Sequence, residues 1–341
     1  MKKIRLLVCL LLVTGIASAQ ALKTDISVHD PVMIKQDSTY YLFCTGRGIS
    51  MWSSVDMIHW KAEKQVFEVA PAWADKVVPG FKNHIWAPDI SWYNGLYYLY
   101  YAVSAFGENT SAIGMATSPT LHTNDTAYKW TDHGIIIRSI PGKTNWNAID
   151  PNLITDVDGT PYLAFGSFWE GVKIAKLKMN RIEIDGSISN LPTVASRVHD
   201  QSDGNSPAID DNPKDAGGNA IEAPFIFRKG KYFYLFASID YCCRGPKSTY
   251  KMIVARSKKL LGPYVDKKGM DMATGGGTIV LAGDKDWYGV GHNAVCNFNG
   301  IDYLIFHGYD AADRGISKLR IEKLEWTKGW PVVVSKPEQN K

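Results

Sequence analysis

A unit that recurs five times along the chain constrains the fold more than any other feature. Five segments open on a polar or Pro-containing cluster, cross a few β-prone residues to a turn, and enter an aromatic strand. They are HDPVMIKQDSTYYLF from His29, WAPDISWYNGLYYLY from Trp86, IDPNLITDVDGTPYLAF from Ile149, IEAPFIFRKGKYFYLF from Ile221 and GHNAVCNFNGIDYLIF from Gly291. Each reads as a β-hairpin. Four turns carry Asn94-Gly95, Asp158-Gly159, Lys229-Gly230 and Asn299-Gly300, where glycine takes a positive φ without steric cost, and the first copy uses Asp37-Ser38. A third β-like stretch follows each hairpin, at Ile49, Ile113, Val172, Met252 and Ile316, and a less regular fourth is expected near Trp60, Trp130 and Trp326. The openings, marked by Asp30, Asp89, Asp150, Glu222 and His292, lie 59, 61, 72 and 70 residues apart. Units of this length, almost wholly β, are blades of a propeller. The sequence therefore predicts an all-β, five-bladed β-propeller; a large β-sandwich would not give every unit the same polar opening.

In a propeller the innermost strand of each blade lines the axis, so residues at the head of that strand converge although they are distant along the chain. Asp and Glu also begin strands for local reasons, through turns and caps, and one Asp-Pro pair means little by itself. Convergence changes the weight, because a ring of carboxylates in one channel is electrostatically costly to keep for folding alone. Asp89 fits the ring least: it follows Pro88, two positions later in register than Asp30, and is expected to face away from the axis. The candidate acids are Asp30, Asp150 and Glu222. Two carboxyl groups flanking a sugar are the machinery of glycosidic cleavage, and a third nearby raises the proton affinity of the acid.

At these residues the chain resembles glycoside hydrolase family 43, and within it the arabinanases that cut α-1,5-linked arabinan. The resemblance rests on Val28-His29-Asp30-Pro31, Asn147-Ala148-Ile149-Asp150-Pro151 and Ile221-Glu222-Ala223-Pro224, with HIWAPDI from His84, GSFWEGV from Gly166, CCRGPKSTY from Cys242 and GHNAV from Gly291. It implies Asp30 as general base, Glu222 as general acid and Asp150 as the residue that tunes the acid and orients substrate, in an inverting single displacement. It also implies that His292 ligates a structural, calcium-like ion in the central channel, with water completing the shell. From chemistry alone a lone histidine is a poor calcium ligand, since that ion prefers oxygen. Trp86, Phe106 and Ser167 match substrate-contacting positions, the aromatic rings covering the apolar face of a sugar; without the resemblance the two aromatics would be read as core. A β-xylosidase or α-L-arabinofuranosidase of the same family, and a non-catalytic sugar-binding propeller, are the rival readings. The last would expect one of the three acids to be replaced, and none is. No organic cofactor is implied, and the residues leave endo and exo action open.

The N-terminus reads as an export signal: Lys2, Lys3 and Arg5 precede an apolar run from Leu6 to Ile16, and Ala17-Ser18-Ala19 offers a cleavage site after Ala19. The run is about a dozen residues, too short for a bilayer span. Cys9 lies within it, after Val8, an unsuitable setting for a lipid anchor. Removing 1–19 takes away three of the four net positive charges. The remaining chain, 20–341, is read as one catalytic domain with no electrostatic footprint for nucleic acid or an acidic membrane. An exported monomer, periplasmic or extracellular, acting on neutral arabinan or arabino-oligosaccharide is the expectation. The polar stretch from Asp200 to Asn219 reads as a loop. Of the cysteines beyond the signal, neighbours Cys242 and Cys243 are open to a vicinal disulfide or to two buried thiols, with packing the favoured reading.

Overall fold

Aromatic and β-branched residues alternating between tight turns form strands almost everywhere in the computed structural model, which describes residues 22–189, 191–197 and 219–334. The expected signal, including Cys9, and residues 200–218 of the expected loop lie outside the described residues. The strands form five antiparallel sheets, the blades of a five-bladed β-propeller. Blade 1 is Val32–Gln36, Thr39–Cys44, Ser50–Ser54 and Lys61–Ala62. Blade 2 is His84–Tyr93, Leu96–Val103, Ala112–Ser118 and Thr131–Arg138, with Gly46–Arg47 added along its innermost strand. Blade 3 is Asn152–Thr155, Pro161–Phe165, Val172–Lys176 and Thr193–Ala195; blade 4 is Ile221–Lys229, Tyr232–Ile239, Lys251–Ser257 and Thr278–Ala282.

Blade 5 closes the wheel. Its first three strands are Trp287–Phe298, Ile301–Asp310 and Ile316–Thr327, and the outer edge of the third is shared by two short strands. Trp330–Val334 pairs with one half, and Leu22–Ser27, from the beginning of the described chain, pairs with the other. The expectation that the fourth strand lies near Trp326 is thus corrected by a few residues: Trp326 sits inside the third strand, where it pairs with Pro331. The blade 4 turn likewise falls one residue later than Lys229-Gly230, because Lys229 still pairs with Tyr232.

The apolar core is divided among the blade interfaces. Among the described residues, five clusters of buried side chains each bridge neighbouring blades. Tyr41 and Phe43 meet Leu99 and Tyr101 between blades 1 and 2, and Tyr100 and Met115 meet Leu163 and Phe165 between blades 2 and 3. Ile174 meets Leu235, Phe236 meets Phe306, and Ile305 meets Leu42 across the other three interfaces. Burial of such side chains contributes roughly 1.5–3 kcal/mol each, so every blade is stabilised chiefly by its neighbours.

Polar groups tie the inner ends together. Asp89 is buried between blades 2 and 3, accepting from the Leu153 N–H at 2.7 Å and from Asn152 Nδ2 at 3.3 Å. Asn152 Oδ1 then accepts from the Ile226 N–H of blade 4 at 2.8 Å. Burial, opposed by those two hydrogen bonds, pushes Asp89 up to about 7. Its contribution to stability is therefore full below 3.8 and lost as pH rises through about 7. Replacing Asp89 with alanine strands a buried N–H, and urea denaturation should find the fold about 1–3 kcal/mol less stable; an unchanged unfolding midpoint would contradict that role. In Asp89→Asn the loss of stability over that pH interval should shrink.

Candidate active site

Each innermost strand begins with one residue in the left-handed region: Asp30 at φ 54°, Ala87 at 44°, Asp150 at 55°, Ala223 at 55° and His292 at 53°. These are the equivalent positions of the five blades. Four are followed by proline, Pro31, Pro88, Pro151 and Pro224, which lacks the N–H needed to extend the ladder. In blades 2, 4 and 5 the strand runs through the kink as an irregularity in register, between Trp86 and Asp89, Glu222 and Phe225, and Gly291 and Ala294. Such bulges re-aim side chains, commonly beside active sites. They also correct the sequence register: Asp89 stands two residues past the equivalent position, which is Ala87, and Glu222 one residue before it.

A cavity of 1040 Å³ opens over these strand heads. Asp30, Trp86, Phe106, Asp150, Ser167, Glu222 and His292 all line it, so every site residue expected from the sequence borders one space, whereas Asp89 does not. Trp86 is half-buried in the wall, and Phe106 stands out from it, 81% exposed. Cys242 and Cys243 also line the cavity and are joined as a vicinal disulfide. That overturns the packing reading: the pair sits at the mouth rather than in the core, and Cys243 is exposed.

Asp30 is the most heavily partnered of the acids. Its Oδ1 faces His29 Nδ1 at 2.8 Å, His292 Nδ1 at 3.0 Å and His307 Nδ1 at 3.7 Å. Thr45 donates its hydroxyl to Oδ2 at 2.6 Å and itself accepts from the Ala87 N–H of blade 2. Burial alone would raise Asp30, but electrostatic attraction to His29 and His292 and the hydrogen bonds with both outweigh it and hold the carboxyl well below the usual range. His307 is fully buried, and desolvation together with neighbouring histidines drives its pKa far down; its Nδ1 accepts from the Asp30 N–H at 3.2 Å.

The other two acids move the opposite way. Burial pushes Asp150 up to about 7, helped by the Glu222 and Asp30 charges and opposed by His292 and by the Ala223 N–H, which donates to Oδ2 at 3.0 Å. Burial also raises Glu222, with Asp30 adding to the rise. Against it stand Tyr250, His292 and Ser167, whose Oγ donates to Glu222 Oε2 at 3.2 Å. The Tyr250 hydroxyl lies beside Glu222 although no hydrogen bond of ordinary geometry closes between them. Tyr250 can pack there because residue 291 is glycine: a Cβ on Gly291 would come within 2.1 Å of the Tyr250 ring. His292, desolvated but facing all three acids, is raised to about 9. The cavity thus holds one firmly ionised carboxylate paired with a cationic imidazole, and two carboxyls that keep their protons more tightly than usual.

Sequence reasoning missed Thr45, Tyr250, His307 and Tyr309. They lie on a second strand or in connecting loops and carry no repeat signature. His29 and Tyr250 were visible only as parts of motifs.

The model of glycosyl hydrolases family 43 matches residues 24–331. An extracellular exo-α-(1→5)-L-arabinofuranosidase of Cellvibrio japonicus is 46% identical over 313 residues, covering 92% of this chain and 88% of the relative. An extracellular endo-α-(1→5)-L-arabinanase of Bacillus subtilis is 42% identical over 308 residues, covering 89% and 87%. Among solved structures, the Cellvibrio cellulosa α-L-arabinanase complexed with arabinohexaose superposes with a TM-score of 0.85 at 45% identity, covering 91% of this chain and 96% of that one.

A donor to a carboxylate favours its charged form, so removing the Ser167 hydroxyl should raise Glu222 further. Carboxyl NMR of labelled glutamate should find its titration at higher pH in Ser167→Ala. A shift to lower pH would contradict the assigned contact.

Proposed function

The chain belongs to glycosyl hydrolase family 43, and from that premise we propose that it hydrolyses α-1,5-arabinofuranosidic bonds of arabinan by an inverting single displacement. The observation that carries the reading is the opposite displacement of two carboxyls bordering one cavity: Asp30 held well below the usual carboxylate range, Glu222 raised above its ordinary value by burial. Asp30 takes a proton from water as it attacks the anomeric carbon, and Glu222 gives its proton to the departing oxygen. Asp150 supports the acid, because repulsion between carboxylates raises both proton affinities, and Glu222 is among the causes raising Asp150. Asp150 also holds a ring hydroxyl of the substrate. Phe106 and Trp86 offer apolar surface to the sugar ring, and Ser167 orients Glu222. The names of the relatives support arabinan as substrate, one being described as an exo-acting and one as an endo-acting enzyme. Both are described as extracellular, in keeping with an N-terminal export signal on this chain.

His292 is the proposed holder of a cation in the channel. Its Nδ1 is engaged by Asp30, which leaves Nε2 as the nitrogen that would hold a metal on giving up its proton to water, and a carboxylate behind the imidazole is the ordinary support for a metal-bound histidine. The negative charges that raise His292 would also attract a cation. One nitrogen does not make a calcium shell, so water oxygens would supply the rest. Bound there, the ion would add fixed positive charge beneath the acids.

Glu222→Ala and Asp30→Ala should each lower release of reducing sugar from linear arabinan by roughly 10²-fold or more while each variant still folds and unfolds in one cooperative thermal transition. Near wild-type turnover in either variant would remove the assignment. A product time course on debranched arabinan, run beside aryl xyloside and aryl arabinoside, separates arabinanase from the β-xylosidase and arabinofuranosidase rivals. The same digest followed by NMR reads the anomeric configuration, and a retained product would exclude the single displacement. Prolonged chelation should lower the melting temperature; indifference to it would argue against the cation at His292.

A further inference from the structure

Three residues far apart in sequence form a hydrogen-bonded line that ends on Asp30. The Cys243 N–H, in the loop after the second strand of blade 4, donates to the Tyr309 hydroxyl oxygen at 2.7 Å. Tyr309 is on the second strand of blade 5 and is 3% exposed. Its hydroxyl lies 2.8 Å from His29 Nε2, and His29 Nδ1 lies 2.8 Å from Asp30 Oδ1 at the head of blade 1. The line thus crosses from blade 4 through blade 5 to blade 1.

The directions along it are fixed by chemistry at both ends. A backbone N–H can only donate, so Tyr309 Oη accepts from Cys243. An ionised carboxylate can only accept, so His29 Nδ1 carries the proton shared with Asp30. Tyr309 Oη, already accepting from Cys243, turns its own proton to His29 Nε2. The Ser248 side chain also approaches the Tyr309 hydroxyl as a donor, which leaves the Tyr309 proton for His29. The His29 ring is held further by stacking on His307, with centroids 3.9 Å apart, and by the Cys243 sulfur 3.9 Å from Nε2.

Cys243 itself adopts φ 64°, a conformation that non-glycine residues seldom take. The bond to Cys242 closes a small ring through the peptide between them and restrains that conformation. The rest of the turn is anchored separately: Thr249 N–H donates to the Tyr241 carbonyl at 3.0 Å, Arg244 N–H to Ser248 Oγ at 3.1 Å, and the Arg244 guanidinium lies 4.0 Å from the centre of the Tyr241 ring. Opening the disulfide would therefore release the aim of the Cys243 N–H without releasing the loop.

We propose that Tyr309, set by the backbone of the Cys242–Cys243 ring, is a positioning residue for Asp30: it fixes the tautomer and orientation of His29, which aims the carboxylate at the attacking water. The inference rests on Asp30 being the base. Neither Tyr309 nor the disulfide touches the reacting atoms in this scheme; both act through His29.

The test uses Tyr309→Phe, which keeps the ring and loses only the hydroxyl, and the double replacement Cys242→Ser with Cys243→Ser, which opens the ring and keeps the N–H. On linear arabinan, Tyr309→Phe should lower kcat roughly tenfold or more, as expected when a reacting group is misaimed, with KM within about twofold. The serine pair should lower kcat to a smaller extent and add nothing further in the Tyr309→Phe background, because groups acting through one line are not additive. A dithiol reductant, which takes up the disulfide by becoming oxidised itself, should reproduce the serine phenotype in the wild type and have no effect on kcat in Tyr309→Phe. Wild-type kcat in Tyr309→Phe, fully additive losses, or a loss confined to KM would each overturn the proposal, the last by making the disulfide a surface for substrate. If Asp30→Ala is inactive while Tyr309→Phe turns over normally, the positioning role fails and the base assignment stands. If Asp30→Ala is active, the base assignment fails first.

Discussion

A left-handed backbone residue at the head of each innermost strand is the constraint on which the site depends. It turns the chain from the blade rim into the channel, and each turn is tied to a neighbouring blade. Asp150 Oδ2 receives the Ala223 N–H, Thr45 Oγ1 receives the Ala87 N–H, Ser238 Oγ receives the His292 N–H, and His307 Nδ1 receives the Asp30 N–H. Asp150, one of the three acids, is thus also among the groups that satisfy buried backbone donors. Backbone in this region costs of order 1–3 kcal/mol per non-glycine residue, and it persists because packing on both sides leaves no alternative. Asp tolerates it better than most residues, which suits Asp30 and Asp150; Ala87, Ala223 and His292 are held there by their surroundings.

Charge in the cavity follows from the same arrangement. Asp30 has a lowered pKa, so its contribution to stability is present above 3.8 and lost as pH falls through its native value. His292 has a raised one, so its contribution is full below 6.5 and lost as pH rises through about 9. The Asp30–His292 pair therefore supports the fold in the interval between. Asp150 works against it in the upper part, since its proton is given up near pH 7 and a buried negative charge remains. A site that needs one ionised and one protonated carboxyl is accordingly built with opposite surroundings for the two: imidazoles and Thr45 around Asp30, hydrocarbon burial and other acids around Glu222.

Much of this was legible in the sequence because it is local. A hairpin with a Gly-bearing turn and an aromatic second strand is encoded within some fifteen residues, so the five inner hairpins and the count of blades could be read directly. The convergence of Asp30, Asp150, Glu222 and His292 followed from that count. What escaped was set by contacts between distant segments. The sharing of the outer edge of blade 5 by Leu22–Ser27 and Trp330–Val334 has no local signature. Glu222 stands one residue before the position equivalent to Asp30, and the bulge that turns it into the cavity was not read from the sequence, whereas the displaced register of Asp89 was. Cys242 and Cys243 were read as packing because adjacent cysteines reveal nothing of whether their loop is in the core or at the rim. His307 and Tyr309 stand just past the fifth hairpin segment, which ends at Phe306, and only the neighbouring blade makes them partners of Asp30.

A neutral polymer gains little from Coulomb steering, so its recognition must come from surface that water covers poorly. Phe106 at 81% exposure and the half-buried Trp86 and exposed Tyr241 border the cavity, and Tyr241 is braced by the Arg244 guanidinium. Covering apolar surface contributes about 25 cal/mol per Å², and the apolar face of a furanose can cover a ring without breaking hydrogen bonds at its edges. Phe106, in the loop after the second strand of blade 2, and Tyr241, in the corresponding loop of blade 4, come from separate parts of the rim. The strand heads can therefore fix the acids rigidly at the floor while the aromatic rim is held by separate loops, so that a change in the rim need not disturb them.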